Sequence, residues 1–226
     1  MTHFRAEDAT EEEIAREAAL YAPFTDAVRQ LADATLRTTV DEDEIRAVQA
    51  EIEALTARLR AARIPGSYGV RYRPSGGGRA WGNAVVGLRN PIAPPVVTSV
   101  GDDGRVTTEF HLGAVYEGPP GLVHGGVVSL VLDQLLGQAA GAGGRPGMTG
   151  TLTIVYRQGT PLGPLRGEAW IDRTEGIKTW AKGRLLGPDG VTAEAEGVFI
   201  LPKWARAMLA ADDPETPVLP DRSYFQ

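Results

Sequence analysis

The 226-residue sequence contains no cysteine. That removes disulfides, a thiol nucleophile and cysteine-ligated zinc together. Histidine is almost as scarce: His3, His111 and His124 are the only three, too few and too scattered for a metal site. Basic excess is also missing. The net charge is −6 and no basic stripe offsets it, which argues against general nucleic-acid binding. No apolar run reaches the roughly 18 residues of a membrane span. The acidic start MTHFRAEDATEEEIAREAAL lacks the apolar stretch of a signal peptide, so no membrane association and a cytoplasmic location are expected. What remains is 42% hydrophobic and 23% charged, an ordinary balance for one large globular domain or one domain with an appendage.

One stretch stands apart. From Gly118 to Gly144 the sequence GPPGLVHGGVVSLVLDQLLGQAAGAGG carries a single formal charge, Asp133. Projected at about 100° per residue, Val127, Val128, Val131, Leu132 and Leu135 form one broad apolar arc. The opposite face holds Gly126, Ser129, Asp133, Gly137 and Ala140, all small apart from the carboxylate. A surface helix would set Lys, Glu or Arg there. The pattern therefore predicts a helix buried on every side, with one face reduced in bulk so that something can approach it. An isolated ionised carboxylate in such a place is costly, so Asp133 needs a partner or a functional reason.

Around this helix the texture changes twice. Residues 1–65 read as a helical extension: Thr10 with Glu13 and Asp41 with Glu44 look like helix starts. Ile45, Val48, Ile52, Leu55, Leu59 and Ala62 then recur at spacings of three and four, a narrow seam of under three heptads. Such a seam suits oligomerisation, a lid, or packing over its own domain. Residues 66–84 read as a glycine-rich linker, 85–203 as the main domain and 204–226 as a tail. In the main domain, 96–100 and 106–112 flank the turn residues Gly101-Asp102-Asp103-Gly104, a hairpin signal. After the helix come four strand-like segments, 149–157, 165–173, 178–186 and 192–201, separated by turn residues and expected to form a meander. This order predicts an α+β fold, a long helix wrapped by a strongly curved antiparallel sheet, with a second protomer covering what remains.

GLVHGGVVSLVLDQ, preceded by NPIAPP and followed by MTGTLTIVYRQGTPL, resembles the hotdog-fold acyl-CoA thioesterases of the PaaI-like group, within it the subset related to thioesterase superfamily members 4 and 5. The resemblance spans about Asn90 to Pro202. It implies hydrolysis of acyl-CoA to free acid and CoA, with no cofactor beyond the CoA of the substrate and no metal, by a homodimer or dimer of dimers. Carried over by position, Asp133 is the general base or nucleophile. Gly125 is the oxyanion donor at the helix N-terminus, where the first N–H groups lack intrahelical partners. Gly126 would allow close approach of substrate. His124 either positions the loop or substrate or is simply a capping histidine. Thr149 matches the Ser/Thr that orients water or carboxylate, usually from the neighbouring protomer; Thr151 competes with it.

Gly118 marks a departure, because many relatives carry Asn or Gln six residues before the motif histidine. Arg157, Lys178, Lys182 and Arg184 are candidates for contact with CoA phosphates, although Glu194 and Glu196 on the next strand could pair with them instead. Leu130 and Leu136 are candidates for an acyl channel. A non-catalytic acyl-CoA-binding or scaffolding protein is the alternative; the missing amide at Gly118 keeps it open, and Asp133 with Thr149 argues against it. An enoyl-CoA hydratase ranks lower, since its Asp/His motif is missing.

Overall fold

Local chemistry starts each N-terminal helix of the computed structural model, which describes residues 4–73, 78–202 and Arg206. The expected tail is, apart from its one described residue, outside this range. Helix α1, Glu11–Arg37, opens on a capping box. The Thr10 hydroxyl accepts the Glu13 N–H at 3.2 Å while the Glu13 carboxylate accepts the Thr10 N–H at 2.9 Å, and this pairing holds the Glu13 carboxyl below its ordinary value. Helix α2, Glu42–Arg60, starts where Asp41 accepts the Glu44 N–H at 2.9 Å. It does not pack along α1 and buries none of its residues.

The segment 66–84 is no open linker. It contains strands β2, Val70–Tyr72, and β3, Gly78–Arg79. Strand β1, Phe4–Ala6, runs parallel to β2, and β3 runs antiparallel on its other side. Strands of two and three residues are too short to show an alternation, so composition alone reads as linker. Arg79 anchors this small sheet: its guanidinium donates to both Glu7 oxygens at 2.6 and 2.7 Å, pairs with Glu17 of α1, and lies 4.5 Å over the Trp81 ring.

The main sheet has the order β4-β5-β7-β8-β9-β6, antiparallel throughout. Strands β4, Thr98–Val100, and β5, Val106–Leu112, form the expected hairpin, with Gly104 at φ 77° in its turn. Strands β7, Gly163–Glu175, β8, Lys178–Gly187, and β9, Gly190–Ile200, are a meander. Strand β6, Met148–Tyr156, is not the first member of that meander. It pairs with β9 at the far edge, because β5 occupies the free side of β7. Turn chemistry predicts where strands end; which strand claims an edge is a non-local competition.

Helix α3, Gly125–Ala142, lies against this sheet and supplies much of the core. Glycines on the sheet let it sit close: a Cβ on Gly167 would come 2.6 Å from Leu135, and one on Gly183 would come 2.7 Å from Leu136. Leu136 is thus sealed between helix and sheet and lines no channel. The expectation of a helix buried on every side also needs correction. Its sheet-facing arc is enclosed, but Gly126 and Leu130 are exposed and Ser129, Asp133 and Gly137 are half-buried. The chain's own sheet lies behind the apolar arc, and among the described residues β6 covers the small-residue face only in part, reaching Ser129 and Asp133 while Ala140 is buried. Among the described residues no helix is long and apolar enough to cross a membrane.

Candidate active site

The site is built where the N-terminus of α3 meets β6. The loop before the helix is closed by Gly118 N–H donating to the Leu122 carbonyl at 2.9 Å, and Gly121 turns at φ 75° with its N–H held by the Glu117 carboxylate at 2.7 Å. His124 follows as the N-cap, and its Nδ1 accepts the Gly126 N–H at 3.0 Å. One of the helix's orphan donors is thereby consumed. The N–H of Gly125, the first residue of the helix, meets no acceptor among the described residues. It stands at the positive end of the helix dipole.

Two turns further along, half-buried Asp133 projects from the small-residue face. Thr149 at the start of β6 donates to its Oδ1 at 2.8 Å. Both residues belong to the same chain, whereas the resemblance implies a contribution from the neighbouring protomer. At the other end of β6 the Tyr156 hydroxyl donates to the Gly125 carbonyl at 2.9 Å and lies 2.8 Å from the Ser129 hydroxyl, which also donates to that carbonyl at 3.0 Å. One strand therefore pins α3 twice: at Asp133, and at the glycine whose amide is unspent.

A bulge makes this possible. Residues 149 and 156 are seven apart, so a regular strand would turn them to opposite faces. Register shifts between Thr149 and Thr151: Thr149 pairs with Phe199, Thr151 with Val198, and Tyr156 with Ala193. Gly150 is the extra residue, and Thr149, Leu152, Ile154 and Tyr156 all face the helix. The same bulge turns Thr151 to the other face, which separates the two threonines that sequence alone left in competition. Tyr156 and Ser129 as a hydroxyl pair are absent from the sequence reading. Their signal was the Tyr in TLTIVY, unusable without the bulge.

Gly118 is not an empty place for an amide. A Cβ there would come 2.7 Å from the His124 Cα, so this loop path excludes any side chain. The basic residues are not brought to the site. Arg157 donates to Glu194 at 2.6 Å, Lys182 to Asp172 at 2.9 Å with Glu196 at 3.8 Å, and Arg184 pairs with Glu168. These contacts include the cross-strand pairing that sequence offered as the alternative. The Lys182 ammonium holds the Asp172 carboxyl below its ordinary value. Lys178 stands in the same row as Trp180, Lys182 and Arg184, on the sheet face away from α3, while Thr179, Ala181 and Gly183 between them are buried. Among the described residues no cluster of His, Asp or Glu could hold a metal ion.

On the other flank of α3, towards β4, lies a cavity of about 620 Å³. Trp81, Asn83, Gln134 and Gln138 line it together with Pro23 and Arg29 of α1. Asn83 donates to Gln134 at 3.0 Å across this wall.

No family model matches the chain. Among solved structures, the crystal structure of a thioesterase superfamily protein is 31% identical, with 88% of this chain and 100% of that chain covered at a TM-score of 0.73. That share takes in part of the N-terminal helical extension as well as the helix-and-sheet body. A Bacillus halodurans protein solved with CoA (21% identity, 74% and 98% covered, TM-score 0.46) and the E. coli PaaI protein (15%, 46% and 82%, 0.44) are too distant to carry an argument.

Proposed function

This chain belongs to the thioesterase superfamily, and from that premise we propose that it hydrolyses acyl-CoA thioesters to free acid and CoA. The observation that carries the reading is the Thr149–Asp133 hydrogen bond, 2.8 Å long, on the same helix as an unspent Gly125 N–H. A pure binding surface gains nothing from a carboxylate oriented in this way. The motif GLVHGGVVSLVLDQ supports placement with the PaaI-like group, in the subset related to members 4 and 5.

Thioester hydrolysis needs a nucleophile, a place for the oxyanion and a proton for the leaving thiolate. Asp133 removes a proton from water as the water oxygen bonds to the carbonyl carbon. Thr149 spends its proton on Oδ1 and leaves Oδ2 for the water. The carbonyl π pair moves onto oxygen, where the Gly125 N–H and the helix dipole hold the negative charge. Collapse restores the carbonyl and breaks the C–S bond, and the thiolate takes the proton back from Asp133. Direct attack by Asp133, through an anhydride that water then opens, uses the same groups. His124 serves this scheme by positioning: its Nδ1 occupies the Gly126 N–H, so the oxyanion is directed to Gly125. Gly126 and Gly118 keep the approach to the carbonyl free of side chains. Phosphate contact by Arg157 or Lys178 would require the outer face of the sheet, and Arg157 would have to leave Glu194.

We place the working unit at a homodimer or a dimer of dimers. Strand β6 is an edge strand whose Met148, Val155 and Tyr156 are exposed, and Leu130 beside it on α3 is exposed too. Such an edge is ordinarily covered. A second protomer there would close the site around Asp133.

Thiol release from short, medium, long and aryl acyl-CoAs, wild type beside Asp133→Ala, tests the reading. Turnover of at least one class is expected, with a loss of at least ~100-fold in the variant, the scale of removing a general base. Hydrolysis that survives the substitution removes Asp133 from the mechanism. Binding of acyl-CoA without any hydrolysis would make the binding or scaffolding protein the better reading.

A further inference from the structure

Helix α2 is 19 residues long, and among the described residues no other helix or strand packs along it. Its apolar seam is open: Ile45 is 44% exposed, Leu55 51% and Leu59 59%. A lone helix of this length is only marginally stable in water, and helices in proteins owe most of their stability to packing of an apolar face. The seam therefore wants a cover, and the charges beside it say which.

The first turn of α2 is acidic, Glu42, Asp43 and Glu44 behind the Asp41 cap, and the last turn is basic, Arg58 and Arg60 with Arg63 just beyond. Two copies laid parallel would set acids on acids and arginines on arginines. Two copies laid antiparallel set each acidic end against the other's basic end, and their helix dipoles oppose as well. The apolar residues agree with this. With Ile52 facing the second copy's Leu55, Val48 faces its Leu59, and the two-fold repeats both layers. In that alignment Glu51 flanks the second copy's Arg58, again twice. The seam is self-complementary in one direction only.

We propose that α2 is an interaction surface for a second copy of this chain, joined as a short antiparallel coiled pair centred between Ile52 and Leu55. The surface shares no residue with the site around Asp133, and its existence does not depend on thioester hydrolysis.

The chain's lack of cysteine makes the test clean. Val48→Cys and Leu59→Cys variants are made singly and also co-expressed with different tags, then oxidised. Antiparallel pairing gives a covalent dimer carrying both tags in the co-expressed sample, and none when either variant is alone. Like residues would be offset by eleven positions, about 16 Å along the helix, beyond the roughly 7 Å that a disulfide spans. In sedimentation, Leu55→Glu is expected to lower the assembled mass by one two-fold step. Glu51→Arg should weaken assembly, and the double variant Glu51→Arg/Arg58→Glu should restore it. Cross-linking of either variant alone, no cross-link in the mixture, or a mass unchanged by Leu55→Glu would overturn the proposal.

Discussion

At the residue scale the site depends on hydroxyls that hold backbone and carboxylate in place. The Tyr156 and Ser129 hydroxyls both reach the Gly125 carbonyl, and that carbonyl belongs to the residue whose N–H is the proposed oxyanion donor. Tyr156 is thus a positioning residue in the proposed reaction. Removing its hydroxyl forfeits about 1 kcal/mol of hydrogen bonding, about five-fold in rate. Tyr156→Phe is expected to lower kcat by that factor with KM for acyl-CoA held. A rise in KM at constant kcat would instead make Tyr156 a substrate contact. His124, Gly125 and Asp133 were legible as site candidates because the motif and its nine-residue spacing lie in one local stretch of sequence, whereas Thr149 came from the resemblance alone and stayed in competition with Thr151. Tyr156 was not legible, because its face depends on one extra residue at Gly150.

At the element scale α3 is positioned by missing side chains as much as by present ones. Gly183 on β8 faces Leu136, and an added Cβ would also come 2.7 Å from the Glu168 carbonyl oxygen. Gly183→Ala should therefore destabilise by about 1–3 kcal/mol through overpacking. Leu136→Ala should cost about 2–5 kcal/mol through the cavity it leaves. The double variant is expected to cost less than the sum, since the cavity accepts part of the new methyl; chemical denaturation of the four proteins measures the coupling. Full additivity would mean that helix and strand do not share this contact. The helix itself was readable from its 3.6-residue apolar period. Its close seat on the sheet was not, because glycines spread over β7, β8 and β9 show no pattern until the strands are in register.

At the scale of the whole molecule, Arg79 ties the N-terminal extension to the segment 66–84 that leads into the main domain. Its side chain is 7% exposed and meets Glu7, itself nearly enclosed, and Glu17, which is open to solvent. Arg79→Ala strands the Glu7 carboxylate, at an expected cost of about 1–3 kcal/mol, less than for a fully enclosed pair because water screens Glu17. Hydrogen exchange is the suitable readout: amides of β1 and the start of α1 should lose protection while those of α3 and the main sheet keep it. Loss of protection throughout would mean that extension and body unfold as one unit. In composition the stretch 66–84 resembled a linker, and only the pairing of β1 with β2 across more than sixty residues shows why it is not one.

The sequence by itself determined what acts over a few residues. The caps at Thr10 and Asp41, the Gly101–Gly104 hairpin turn, the α3 period, and the placement of His124, Gly125 and Gly126 at the head of the helix that carries Asp133 all belong to this class. The tertiary structure decided what depends on closing the chain upon itself. It put β6 beside β9, brought Thr149 and Tyr156 to one face, set Arg157, Lys182 and Arg184 against carboxylates, and left the seam of α2 uncovered. The division is physical: helix period and capping are interactions between near neighbours, whereas an edge, a register and a salt-bridge partner are each chosen from many distant competitors by packing.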